Sequence, residues 1–394
     1  MTEQEIHIEK IRKEMQSAGA DAFLITSNVN LYYAAGQVVM GYLYIPIEGD
    51  PILFVRRPVG LAVETWHAAS LQYVRKPEQI TEIMAERGIP LPQRIMLESD
   101  VLSHSEWLRY EAIFKPAKII NGTPAIQRAR SVKTDAELEQ LRQSGRQHQI
   151  AYSKIPNLYR PGMTDLDISI EIEREMRRAG CLGAFRIFGQ SMEIFMGSVL
   201  AGDNAGVASP YDFALGGKGL HPSLPIGATG SVLQRGMSLM VDIGGNFTGY
   251  MTDMTRTYSI GKLTEKAYRA HQTALEIQNE IANMMRPGAV CEDIYNRSLE
   301  MAERSGLDRC FMGIRQQARF VGHGVGLEVN ELPVLGVRSR MELQPGMVIA
   351  VEPKFVIEGT GAVGIENTFV VTASGSEKIT LLEEEIVDLE NEIP

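Results

Sequence analysis

The chain has 394 residues, more than one ordinary hydrophobic core serves and enough for two or three domains. At 44% hydrophobic and 22% charged residues it has the balance of a globular protein, and a net charge of −10 argues against a phosphate-tracking nucleic-acid surface. Cys181, Cys291 and Cys310 form no C-x-x-C pair, "MTEQEIHIEKIRKEM" has no apolar signal core, and no run nears the ~20 apolar residues of a bilayer span, so a cytoplasmic protein with no membrane partner is expected.

Residues 1–128 read as alternating helix and strand. Ile8, Ile11 and Met15 recur at helical spacing, and "DAFLITS" is a short strand. "YLYIPIEGDPILFV" is a hairpin turning at Glu48-Gly49-Asp50. "RIMLES" is another strand, "SEWLRYEAIF" a helix with Ser105 as its cap, and "AKIING" a strand. This makes an α/β domain with its own core. The boundary lies in "RARSVKTDAELEQLR", where Thr134 or Asp135 caps the helix that opens the second domain, residues 129–394. The closing "LLEEEIVDLENEIP" reads as a solvated acidic end.

The second domain repeats itself. "RPGMTDLDISIEIEREMRRAG" begins at Arg160 and "RPGAVCEDIYNRSLEMAERSG" at Arg286, each a turn followed by an amphipathic helix and each preceded by a long helix. Such a duplication calls for matching strand hairpins. "VDIGGNFTGYMTDMTRTY" is the first. Folded about residues 247 and 248, it sets Asp242 opposite Asp253 on apolar strands. "GMVIAVEPKF" and "GAVGIENTFVVT" are the second, and folding about Gly359 sets Glu352 opposite Glu366. Facing side chains on paired strands stand ~5 Å apart, where like charges repel, and burial deepens the penalty. Something positive is called for.

Four carboxylates balance two divalent cations, and metals ~3.5–4 Å apart are a recurrent hydrolytic device. A neutral imidazole is an expected further ligand. "RFVGHGVGLEVNELP" supplies His323 among glycines that let the backbone crowd the site. Alone, His323 would read as a core histidine; beside four awkward acids it reads as a ligand. Oxygen-rich ligation with one nitrogen and no thiolate points to Mn²⁺, Co²⁺, Fe²⁺ or Zn²⁺.

These blocks, with "GHGVGLEVNELP", "AVEPKF" and "GIENTF", resemble the metal-ligand segments of the pita-bread metallopeptidases, and the two-domain layout resembles the prolidase and aminopeptidase P branch. The resemblance implies a creatinase-type N-terminal α/β domain and a pita-bread domain with pseudo-twofold symmetry, an α/β (α+β) chain overall. It implies that Asp242, Asp253, His323, Glu352 and Glu366 bind two metals, with Mn²⁺ or Co²⁺ foremost. Asp253 and Glu366 would bridge them, and Glu352 would also assist the attacking water. It further implies a homodimer that cleaves before proline in small peptides, through a metal-bound hydroxide.

Three positions depart from that pattern. "LPIG" has Ile226 where the family carries His, Asn330 stands where "HE" is usual, and Gly364 replaces an arginine. Asn330 can donate to an oxyanion but cannot transfer a proton. His221, five residues before Ile226, is the candidate to supply the missing acid–base group. Two further readings stay open: a same-fold hydrolase or lyase acting on a small non-peptide molecule, of the creatinase or ectoine hydrolase type, and a binding module without catalysis.

Overall fold

The computed structural model describes residues 1–60, 70–189 and 196–391. It divides into two compact units, Met1–Arg130 and Ser131–Pro394. The first holds a six-stranded mixed sheet. Ala22–Ile25 pairs antiparallel with Met40–Pro46 on one side and parallel with Arg94–Leu97 on the other. The hairpin strands Met40–Pro46 and Ile52–Arg57 pair across a turn where Gly49 takes φ 91°. Helix Glu3–Ala18 buries Ile8, Ile11 and Met15, as their spacing requires. Helix His104–Phe114 is capped by Ser103, not Ser105. The Ser103 hydroxyl accepts from Glu106 N–H while the Glu106 carboxylate accepts from Ser103 N–H, a reciprocal pair that starts the helix earlier.

The second unit runs helix, helix, strand, hairpin twice. The first pass is Asp135–Tyr152, Asp165–Arg178, Gly197–Ala201, then Ser238–Ile243 and Thr255–Ser259. The second is Glu265–Met284, Cys291–Arg304, Phe320–Gly324, then Val348–Val351 and Asn367–Val371. Thr134 caps the opening helix through the same reciprocal arrangement with Glu137. Both R-P-G turns open onto helices of 14 residues. In each half the lone strand pairs antiparallel with the first hairpin strand. A second matched stretch comes into view here: "LQRGM" from Leu233 and "LQPGM" from Leu343 make the same turn, with Met237 N–H on Gln234 C=O and Met347 N–H on Gln344 C=O, both at 3.1 Å. That match places Asp242 and Glu352 at equivalent positions.

The two hairpins differ in register from each other. In the first, Asp242 pairs with Thr255, not Asp253, and Gly245 with Thr252. The turn is centred one residue later than expected because the Asn246 side chain accepts from Gly249 N–H at 3.1 Å, with Gly249 at φ 94°. Asp253 therefore sits in the break between Met251–Thr252 and Thr255–Ser259. A slip of two residues, unlike a slip of one, keeps alternating side chains on the same face. The second hairpin has the expected register. Lys354 pairs with Gly364 and Val351 with Asn367, so Glu352 and Glu366 face each other at the joint between two ladders.

Two threonines lock the halves together at these acids. Thr255 Oγ1 donates to Glu366 Oε2 at 2.7 Å, and the two residues exchange backbone hydrogen bonds. The Thr368 hydroxyl accepts from Asp253 N–H at 2.9 Å and donates to Asp253 C=O at 2.8 Å. The acidic C-terminal stretch is not merely solvated. Val387–Asp388 pairs parallel with Tyr258 and Ser259, and Leu389 is buried. Buried Arg256 ties this stretch to the hairpin by donating to Glu383 C=O and Glu366 C=O. Among the described residues no helix is long and apolar enough to cross a membrane.

Thr368→Val keeps the shape but leaves the Asp253 amide and carbonyl without their partner in a buried setting. Its expected cost is about 2–4 kcal/mol of stability, read from denaturant unfolding of the metal-free protein.

Candidate metal centre

The five expected residues converge. His323, from strand Phe320–Gly324, directs Nε2 toward Glu352 Oε1 at 3.4 Å and toward Asp253 Oδ2 and Glu366 Oε1, both at 3.9 Å. Asp253, His323 and Glu366 form one group with ligand atoms within 4.8 Å of one another, and Glu352 Oε1 stands beside it on the imidazole. Asp242 belongs to a second group with Glu352 and Glu366. Within that second group lies a residue that sequence reasoning passed over. Lys354 Nζ donates to Glu352 Oε2 at 2.6 Å, Asp242 Oδ2 at 2.8 Å and Glu366 Oε2 at 3.0 Å. Glu352 and Glu366 thus each give one oxygen to the ammonium and turn the other toward His323.

Burial governs the electrostatics. It raises the carboxyl pKa of Asp253, with the charge of Asp242 adding to the effect, and raises Glu366 well above its usual range, with Asp253 adding. Burial opposes ionisation of Glu352 as well, yet Lys354 and His323 overcome it and hold this carboxyl below its ordinary value. Desolvation likewise works against a charged His323, but the hydrogen bond and charge of Glu352 prevail and lift the imidazole to about 9. Without a metal, the cluster therefore retains protons that a metal would displace.

The residues fit a cation on the His323 side. Glu366 Oε1 is buried with no hydrogen-bond partner and faces His323 Nε2 at 3.9 Å. The donor set of one imidazole and the Asp253 and Glu366 carboxylates, with Glu352 adjoining the imidazole, suits a divalent ion of the first transition row. On the Asp242 side the fit fails, because the three oxygens already surround the ammonium. The expectation of two metal ions meets this disagreement, and its cause is the side chain of Lys354.

The remaining candidates are engaged elsewhere. Asn330 Oδ1 accepts from Phe188 N–H and its Nδ2 donates to Phe188 C=O, both at 2.8 Å, so the amide that was expected to face substrate pairs with a backbone segment. His221 is exposed in a tight turn, where Nδ1 accepts from Ser223 N–H at 3.1 Å. Among the described residues no hydrogen bond or ion pair joins it to the carboxylates. Ile226 is buried. A Cβ on Gly364 would stand 2.5 Å from Pro353 C=O and 2.7 Å from Lys354 Cα, so no larger residue fits beside that lysine.

A duplicated domain carrying two acidic hairpins and one histidine at their junction is the build of a metallopeptidase. The chain belongs to metallopeptidase family M24, whose model matches residues 139–373, and residues 7–132 match the creatinase/prolidase N-terminal domain. It is similar to an uncharacterized peptidase of Bacillus subtilis, YqhT, with 26% identity covering 97% of this chain and 99% of the relative. It is 24% identical to a Xaa-Pro dipeptidase of Pyrococcus furiosus over 96% of this chain and 99% of the relative. Among solved structures, a Xaa-Pro dipeptidase from Bacillus anthracis superposes with a TM-score of 0.83 at 25% identity, covering 98% of this chain and 99% of that one.

Metal ligation requires a neutral imidazole, and His323 holds its proton up to about 9 in the metal-free chain. Affinity for Mn²⁺ or Co²⁺ is expected to rise with pH, about tenfold per unit for each proton displaced, and to lose the His323 contribution above that value. Chelator-competition titrations at several pH values check this; an affinity that is flat with pH contradicts it.

Proposed function

We propose that this chain is a metal-dependent hydrolase that releases the N-terminal residue from Xaa-Pro dipeptides or short peptides. Mn²⁺ or Co²⁺ is the proposed metal, with Fe²⁺ or Zn²⁺ as further candidates. The observation that carries the reading is the approach of Asp253 Oδ2, Glu352 Oε1 and the unpartnered Glu366 Oε1 to His323 Nε2 in a family M24 domain. Two relatives named as Xaa-Pro dipeptidases support the choice of bond. A cytoplasmic homodimer belongs to the same reading, and the absence of disulfides at Cys181, Cys291 and Cys310 is consistent with a reducing compartment.

Asp253, His323, Glu352 and Glu366 would hold the ion. Bound there, it would polarise the scissile carbonyl and acidify a water. The chain's own contribution centres on Glu352. In the metal-free chain Lys354 and His323 hold its carboxyl below its ordinary value against burial. With the imidazole neutral on an ion, the Lys354 ammonium would still favour the carboxylate, ready to accept the proton that an attacking water gives up. Phe320 stands edge-on to His323 with ring centres 6.2 Å apart, and it lines a cavity of about 440 Å³ together with Tyr211, Phe213, Gln316 and Arg319. That volume lies in the range of small-ligand sites. The Arg319 guanidinium at its wall suits the free carboxylate of a short peptide.

A second reading, a small non-peptide substrate, is favoured by the commitments of Asn330 to Phe188 and of Lys354 to the acids. A panel of Xaa-Pro dipeptides, tripeptides and small amidines with added Mn²⁺ or Co²⁺ separates the two. Cleavage of the peptides is expected. Turnover of the amidines alone, with metal bound, would transfer the assignment to the second reading. Against the best peptide, Glu352→Gln should lower kcat by roughly 10²- to 10⁴-fold, the worth of a positioned acid–base group. His221→Ala tests the other proposed proton donor: a loss of that order with unchanged metal content supports it, and an unchanged kcat assigns the ring to its own turn.

A further inference from the structure

We propose that the Lys354 ammonium stands in for one metal ion, so that the centre holds a single divalent cation beside a cation built into the chain. The inference rests on the metal-centre reading above and concerns how many ions that centre takes. Three features carry it. The ammonium has three hydrogens, and three carboxylates from three different segments each present one oxygen to it, Asp242 Oδ2, Glu352 Oε2 and Glu366 Oε2, at 2.6–3.0 Å. An ion ligated by the same oxygens would lie ~2.0–2.2 Å from each, in the space Nζ fills. The two cannot coexist there.

The second feature is the division of the shared acids. Glu352 and Glu366 point their other oxygens, both Oε1, at the His323 side, as two carboxylates bridging adjacent cations would. One of these cation positions is filled by the chain itself. The third feature is the room made for the lysine. Lys354 is fully buried, and its cross-strand neighbour is Gly364, where a Cβ would come within 3.1 Å of Lys354 Cγ as well as 2.7 Å of its Cα. The Thr257 hydroxyl fixes that glycine, donating to Gly364 C=O at 2.9 Å and accepting from its N–H at 3.1 Å. The strand facing Lys354 is therefore held bare of side chain where the lysine passes.

The test counts ions on the full-length chain, stripped with a chelator, reloaded with Mn²⁺ alone and analysed by elemental analysis and EPR. The wild type is expected to hold one ion per chain with an uncoupled Mn²⁺ spectrum. Lys354→Ala should hold two, with the spin-coupled spectrum of a neighbouring pair. Asp242→Asn removes the charge of one of the lysine's three partners but none of the oxygens that face His323, and should keep the single ion. Two ions in the wild type, or a loss of the ion in Asp242→Asn, overturns the lysine's role while leaving a metal-dependent enzyme standing. No ion in either the wild type or Lys354→Ala overturns both readings. Should Lys354→Ala not fold, the wild-type count and Asp242→Asn still decide the matter.

Discussion

Mutual repulsion among buried carboxylates is the constraint on which the second domain depends. Asp253, Glu352 and Glu366 meet where solvent cannot screen them, with half-buried Asp242 beside them, and their desolvation is expensive. The chain meets part of that cost itself. Lys354 neutralises one side through three short charge-assisted bonds, and His323 faces the other. At an effective dielectric near 20, unit charges ~4 Å apart interact by roughly 4 kcal/mol. Burial works against the charged ammonium as well, so this attraction offsets part of the cost of placing these charges together. Glu366 Oε1 remains without a partner, and the centre is complete only when something positive reaches it.

The duplicated architecture explains why the acids lie where they do. A carboxylate in the middle of a ladder would be committed to one face of one sheet. Glu352, Glu366 and Asp253 instead occupy breaks between ladders, where the strand bends and a side chain can be aimed inward. Thr255 and Thr368 follow the break residues Asp253 and Glu366 at the same interval, and each bonds to the acid of the opposite half. The two halves thus hold each other's acids in position. This is preorganisation by backbone pairing rather than by loop closure.

The surrounding groups are less symmetrical than the centre. Asn330 serves as a clamp for the segment at Phe188, a use that suits an amide because it offers a donor and an acceptor together. Lys133 and Glu331 form a buried pair next to it in sequence, bonded at 3.0 Å. Polar groups, Gln316 and Arg319 among them, line the cavity that Phe320 also borders.

Much of this protein was legible in the sequence. The repeat at Arg160 and Arg286, the second hairpin's fold about Gly359 and the five acid and imidazole residues all follow from short-range patterns, because helix periodicity, strand alternation and turn glycines act over a few residues. The L-Q-x-G-M match was equally legible and would have aligned Asp242 with Glu352. The first hairpin came out two residues off because the Asn246 side chain, not the glycines alone, sets its turn. The role of Lys354 was decided only in three dimensions. In "AVEPKF" it is one polar residue on a strand, and only folding brings it to Asp242, 112 residues away. The same holds for the C-terminal strand beside Tyr258 and for the Asn330 clamp, whose partners lie more than a hundred residues distant along the chain. Local propensity says where a charge can be carried; the tertiary fold alone determines which charges it meets.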